Sequence, residues 1–122
     1  MVEKVARYGL GLIFVVFGLN YFFQFLPMPA VSSEGGALLG ALINTGYLFT
    51  LIKVVEIVAG VLFLSNRYIN LAVILISPIV LNILLFHILL DSAGLPMGLL
   101  ITVLWGILFV RRKGEYSNLL KP

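Results

Sequence analysis

Apolar residues run almost unbroken through four stretches of this chain, and short polar segments separate them. A helix needs roughly 20 residues, within a range of about 17–25, to cross the roughly 30 Å hydrocarbon core of a bilayer. The stretches lack the alternation of apolar and polar residues that barrel strands show, so they predict helices. The predicted membrane spans are about 5–26, 47–64, 68–90 and 95–110.

The segments between these spans contain residues that end helices. PMPAVSSEGG follows the first span, SNR follows the second, and DSAGLP separates the third from the fourth. The stretch GGALLGALINTG is apolar but too short to span, so we expect a short interfacial or re-entrant helix there. The predicted fold is all-α: an integral membrane four-helix up-down bundle forming one domain over residues 1–122, with a short tail at 111–122.

Charged residues at the ends of the spans predict the orientation. One side carries Glu34 and Asp91 and no basic residue. The other side carries the basic residues Lys4, Arg7, Arg67, Arg111, Arg112 and Lys113. By the positive-inside rule both termini are cytoplasmic, which predicts a multi-pass membrane protein. The first apolar run exceeds the core of a signal peptide and lacks a cleavage site, so we expect it to be retained.

Composition supports the membrane prediction and narrows the chemistry. The 122 residues are 61% hydrophobic and 11% charged, whereas soluble domains are roughly 45–50% apolar and about 25% charged. The absence of cysteine excludes disulfides, thiol nucleophiles and cysteine zinc sites within this chain. The net charge of +3 lies mainly near the two chain ends, without a basic face interleaved with aromatic residues, so we expect no nucleic-acid binding. No nucleophile, metal-ligand set or phosphate loop is present, and we predict no catalytic residue and no metal site.

Six strongly polar side chains lie in the outer halves of the predicted spans. They are Asn20, Gln24, Lys53, Glu56, Asn82 and His87. The spacings of Asn20 to Gln24 and of Lys53 to Glu56 place each pair on one helix face. At 1.5 Å per residue, Asn20, Lys53 and Asn82 lie about 9–12 Å below the outer ends of their spans. This shared depth predicts a polar pocket that opens outward.

Lys53 and Glu56 are the most informative of these residues. A charge near the bilayer centre costs at least about 2.5–3.5 kcal/mol, so we expect the two to form an ion pair. The pair either fixes the rotation of its helix or forms a functional site. Asn20 and Asn82 either complete the pocket or bridge neighbouring helices.

The remaining two polar residues lie closer to the outer surface. Gln24 and His87 are near enough to reach lipid headgroups. His87 lies about 140° around its helix from Asn82, so the two cannot both point at one centre. A lone histidine without cysteine is a weak candidate for a metal or haem ligand.

The order and spacing of several segments resemble those of a known family. These segments are RYGLGLIFVVFGLNYF, the PMP break, LIKVVEIVAGVLFLSNRY, and SPIVLNILLFHILLD followed by GLP. Together they resemble the DoxX family of small four-helix bacterial membrane proteins over nearly the whole chain. The resemblance implies that Asn20, Lys53, Glu56, Asn82 and His87 form the polar part of the bundle. It also implies association with thiosulfate:quinone oxidoreductase or with redox and thiol-stress complexes, without an agreed catalytic set.

Three hypotheses for function follow. In the first, the outer pocket binds a lipid-soluble molecule such as a quinone or a lipid, with Lys53 as donor and Glu56 as acceptor. In the second, the chain is an accessory subunit, without independent catalysis, that packs in a membrane complex or homo-oligomer. The third, a transporter or proton relay through Glu56 and His87, is disfavoured because the inner halves of the spans lack polar residues.

Overall fold

The computed structural model of the chain describes residues 1–27 and 31–121, and these residues form helices and no strand. The five α-helices are α1 (Val2–Phe23), α2 (Ser33–Asn44), α3 (Leu48–Ser65), α4 (Ile69–Leu89) and α5 (Leu95–Arg111). Two 3-10 segments cover Ser92–Gly94 and Lys113–Leu120. The PMP break of the sequence falls largely outside the described residues.

Among the described residues, four helices are long and apolar enough to cross a bilayer. They are α1, α3, α4 and Ser92–Arg111, the last of which joins a 3-10 turn to α5. The predicted all-α class and the predicted number of apolar spans are therefore confirmed. The arrangement is consistent with a multi-pass integral membrane protein. A short helix, α2, lies between the first two spans, as the sequence predicts.

The carboxyl end of α1 is fixed by two amide residues. Gln24 adopts a left-handed backbone with φ 52°, and its N–H donates to the carbonyl oxygen of Asn20 at 2.8 Å. The Asn20 side chain accepts from Leu26 N–H at 2.8 Å and donates to the Leu26 carbonyl oxygen at 3.2 Å. These bonds satisfy backbone groups that a helix terminus leaves open. The helix therefore ends at Phe23, before the expected residue 26.

The long helices each pack against two others: α1 and α4 both contact α3 and α5. Glycine makes the α1–α3 contact close, because a Cβ on Gly60 would lie 2.9 Å from the carbonyl oxygen of Gly11. Nearer the carboxyl end of α1, a Cβ on Gly18 would lie 2.5 Å from Cγ1 of Ile57. Residue numbers thus rise along α1 while they fall along α3. Small residues that let backbones approach are the usual packing device of membrane helices.

The centre of the bundle is apolar and well packed. Its largest fully buried side chains are Leu10, Phe14, Phe63, Val73, Ile76 and Leu108. On one side of this core, the Trp105 indole N–H lies 3.1 Å from both the Val73 carbonyl oxygen and the Ser77 hydroxyl. This contact joins α5 to α4. One of its two partners, Ser77, directly precedes Pro78, and proline has no backbone N–H to donate.

Candidate functional site

Lys53 and Glu56 form an ion pair one turn apart on α3. Lys53 Nζ lies 3.5 Å from Glu56 Oε1, and the two side chains are 17% and 6% exposed. Charge-assisted hydrogen bonds are typically about 2.7–2.9 Å long, so this pair is loose. An ammonium group has three donors. Within the described part of the chain, Glu56 is its single hydrogen-bond acceptor.

Aromatic and hydroxyl groups lie next to the pair. Lys53 Nζ lies 5.2 Å from the centroid of the Phe49 ring, within the range of a cation–π contact. The hydroxyls of Tyr21 and Thr50 are hydrogen-bonded at 3.1 Å, which links α1 to α3. The Tyr21 and Phe49 rings meet edge to face with centroids 5.1 Å apart. A strip of aromatic and polar groups therefore lies along the α1–α3 contact, near the carboxyl end of α1 and the amino end of α3.

Gly18 brings α1 against the segment of α3 that carries the pair. A Cβ at this position would lie 3.5 Å from the Lys53 carbonyl oxygen, besides its close approach to Ile57. A larger residue would collide with the Ile57 side chain, so we expect it to loosen the contact of α1 with this segment. The glycine pattern of α1 thus determines the geometry around Lys53.

The two amides of α1 have a local role in the structure. Asn20 is 4% exposed, and its amide bonds to the backbone of Leu26 beyond the helix end. Gln24 is exposed and supplies the left-handed residue that ends α1. Both residues therefore shape the chain leaving the first span.

His87 lies in the last turn of α4 and contacts the turn that leads to α5. Its Nδ1 lies 3.2 Å from the Asp91 carbonyl oxygen and 4.0 Å from Asp91 Oδ2. The ring packs against Gly94 and Gly98, where any Cβ would meet it. Asp91 is 7% exposed and accepts from Ser32 N–H at 3.3 Å. His87 and Asp91 therefore form a second polar centre, which also holds the start of α2.

Asn82 lies apart from these centres. Its side chain is exposed on α4 and borders a groove of about 240 Å³ lined also by Leu38, Leu85, Phe86 and Leu89. In residues 1–27 and 31–121, no hydrogen bond reaches the Asn82 amide. Of the six polar residues, Lys53 and Glu56 are paired through their side chains, and Asn20 and Gln24 are hydrogen-bonded through their backbones. Asn82 and His87 each lie elsewhere.

Sequence reasoning missed a polar network at the opposite end of the bundle. Arg112 Nε donates to Glu3 Oε1 at 2.6 Å, and Arg112 Nη1 donates to Asn70 Oδ1 at 3.3 Å. Asn70 also accepts from the Tyr116 hydroxyl at 3.2 Å and donates to Glu115 Oε1 at 3.0 Å. The signal was present in the opposite charges of Glu3 and Arg112, which lie at ends of α1 and α5 predicted to share one side.

Tyr116 gives this network a pH dependence. Burial raises the pKa of its phenol above the ordinary 10.0, and nearby Arg112 partly opposes the rise. Because the folded pKa is raised, the neutral form favours the folded state, and its stabilising contribution is complete below about pH 10. That contribution falls as the pH rises through 10 and then through the raised pKa. We therefore expect the packing of the tail against the bundle to weaken under alkaline conditions.

The single tryptophan reports this change. Tyr116 stacks on Phe109 with centroids 5.2 Å apart, and Phe109 stacks on Trp105 at 5.3 Å. Trp105 fluorescence should therefore titrate with a midpoint above pH 10. Tyr116→Phe keeps the ring stack and should remove most of the titration. An unchanged titration in Tyr116→Phe would contradict the assignment.

Within residues 1–27 and 31–121, three of the polar centres bring ionisable side chains together. One is the Lys53–Glu56 pair, one is the His87–Asp91 turn, and one is the Arg112 network. No protein-family model, curated protein or solved structure matches this chain.

Proposed function

We propose that the chain is a non-catalytic binding subunit of the bacterial inner membrane, in which the Lys53–Glu56 pair holds the polar headgroup of a lipid-soluble molecule. The observation that carries this proposal is the loosely paired ammonium of Lys53 inside an apolar helix. An intramembrane charge is expensive, so its retention favours a function that uses it. In the absence of a ligand, Lys53 and Glu56 form this loose pair with each other.

The chemistry of the site favours a ligand with an oxygen acceptor and a flat ring. Lys53 is 17% exposed and retains donors that Glu56 does not use. The faces and edges of Phe49 and Tyr21 lie next to it and can pack against a ring. A quinone headgroup combines carbonyl oxygens, a ring and an apolar tail, and so fits these features. A bound lipid offers ester oxygens but no ring.

The proposed architecture is an up-down bundle across the bilayer, with both termini cytoplasmic. The contacts of Gly11 with Gly60 and of Gly18 with Ile57 show that α1 and α3 are antiparallel, which supports spans of alternating direction. The amino end of α1 and the carboxyl end of α5, both rich in basic residues, meet through Glu3 and Arg112. In this arrangement α2 lies at the outer surface or re-enters there. The resemblance to DoxX proteins leads to the same arrangement and to an accessory role in a membrane complex.

A proton path through Glu56 and His87 receives no support from the structure. His87 contacts the backbone of Asp91 at the turn. Beyond Glu56, the fully buried side chains include the apolar rings of Phe14 and Phe63. A relay needs polar groups along its length, and these two buried rings supply none.

The test is direct binding of a decyl-tailed benzoquinone to the purified protein in lipid nanodiscs, measured by calorimetry. Lys53→Met keeps the apolar stem and removes the donors. A hydrogen bond to a charged group contributes about 1.5–3 kcal/mol, so the affinity should fall at least about tenfold. Arg67→Met removes an exposed cation from the α3–α4 turn and should leave the affinity unchanged.

A second variant separates binding from folding. Lys53→Met combined with Glu56→Met leaves no unpaired charge in the span, so the bundle should stay folded. If this double variant is monodisperse and binds no quinone, the proposal is supported. Wild-type affinity in either Lys53 variant would refute it.

A further inference from the structure

The exposed face of α4 carries a regular stripe of residues. They are Leu71, Leu75, Pro78, Asn82, Leu85 and Leu89, and all of them are exposed. Successive members are separated alternately by four and three residues, which is the a/d spacing of a heptad. Side chains at these positions form the seam along which a helix meets a partner helix. Nothing in the described part of the chain covers this stripe.

Asn82 is the polar member of the stripe and lies near its middle. It precedes Leu89 by seven residues, which places it about 10 Å inward from the outer end of α4. Its exposed amide has no hydrogen-bond partner in the described residues, although it carries both donors and an acceptor. An unmatched amide in hydrocarbon is costly. A partner that supplies both a donor and an acceptor at this depth would remove that cost.

We propose that a second copy of this chain packs on the stripe, α4 against α4, with the two Asn82 amides hydrogen-bonded to each other. Copies inserted with the same charge asymmetry have the same orientation, so their α4 helices run parallel. In a parallel pair, equal heptad positions face each other, and Asn82 meets Asn82 in register. An amide is complementary to itself because it both donates and accepts. A single asparagine at such a position is known to specify register.

Two grooves flank the stripe and give the partner places to pack. On the α5 side, an apolar groove of about 500 Å³ is lined by residues including Ile74, Pro78, Leu81 and Trp105. On the α2 side lies the smaller groove that Asn82 borders with Leu38. Leu81 and Ile74 are exposed next to the stripe. Their side chains can pack into the spaces between side chains of the partner helix. The dimer does not depend on ligand binding at Lys53.

The test uses the absence of native cysteine. Leu85→Cys places one thiol on the stripe, and Val103→Cys places one on the exposed face of α5, where 57% of the side chain is exposed. Oxidation in proteoliposomes containing only this protein should give a covalent homodimer from Leu85→Cys and none from Val103→Cys. Equal crosslinking from both sites, or none from Leu85→Cys, would overturn the proposal.

Asn82 is then tested without crosslinking, by energy transfer between labelled copies in liposomes. Asn82→Leu should weaken dimerisation about tenfold, since interhelical hydrogen bonds in membranes contribute up to about 1–2 kcal/mol. Asn82→Gln keeps an amide and should retain part of the affinity. If Asn82→Leu dimerises like the wild type, the stripe is covered by something other than an asparagine-matched copy, and the proposal fails.

Discussion

Gly60→Leu is expected to destabilise the bundle by about 3 kcal/mol or more, the largest effect of any single substitution considered for this chain. A Cβ at this position would lie 2.7 Å from Val15 Cγ2, 2.9 Å from the Gly11 carbonyl oxygen and 3.0 Å from the Val15 backbone nitrogen. Two of these three atoms belong to the backbone of α1. They cannot rotate out of the way, so α1 must move off α3.

Gly106→Leu is the matched control for this substitution. A Cβ at Gly106 meets nothing within 4 Å, and glycine in a helix interior is less favourable than leucine. The control should therefore be as stable as the wild type or slightly more stable. Free energies of unfolding from detergent titration, followed by Trp105 fluorescence, compare the two. Equal stability of Gly60→Leu and Gly106→Leu would show that the close α1–α3 contact does not hold.

The close contact also matters for the proposed binding site. Gly18 lies on the same face of α1 as Gly11 and touches the α3 segment around Lys53 and Ile57. Displacing α1 from α3 therefore changes the position of Tyr21 relative to Thr50 and Lys53. A mild variant, Gly60→Ala, should weaken quinone binding together with stability, whereas Gly106→Leu should weaken neither.

The number of apolar spans could be predicted from the sequence, but rotation about the helix axes could not. Apolar length and polar breaks give the number of helices because hydrocarbon requires each span to satisfy its own backbone. Lys53 and Asn82 lie at similar predicted depths, yet Lys53 is mostly buried and Asn82 is exposed. The face that a helix buries depends on the helices that pack against it. Here the close contact between Gly11 and Gly60 determines which faces of α1 and α3 meet.

The amides at the end of α1 illustrate a second limit. A sequence pattern cannot separate an asparagine that lines a pocket from one that ends a helix, because both occur near the end of an apolar run. The structure shows Asn20 bonded to the Leu26 backbone and Gln24 in a left-handed conformation. A left-handed Gln24 is not signalled by its residue type, since glycine and asparagine are the usual residues at this position.

Arg7 shows the same limit for charge. The sequence places it with Lys4 among the residues that set orientation, and the structure buries it to 4% exposure. Its Nη1 donates to the Phe63 carbonyl oxygen at 2.6 Å, near the carboxyl end of α3. A helix end of this kind carries partial negative charge and open carbonyl groups, so a guanidinium is well matched to it. The guanidinium also lies 4.3 Å from the Tyr8 ring centroid.

Arg7→Met is therefore expected to lower the free energy of unfolding by about 2–3 kcal/mol, the value of a buried hydrogen bond to a charged group together with lost packing. Arg7→Lys keeps the charge on a stem without the planar fork and should recover only part of the loss. Arg111→Met removes an exposed cation at the carboxyl end of α5. It should change the free energy of unfolding by less than about 0.5 kcal/mol. Detergent titration of the three variants ranks them. If Arg7→Met and Arg111→Met are equally stable, Arg7 acts only through membrane orientation, as its position in the sequence alone would predict.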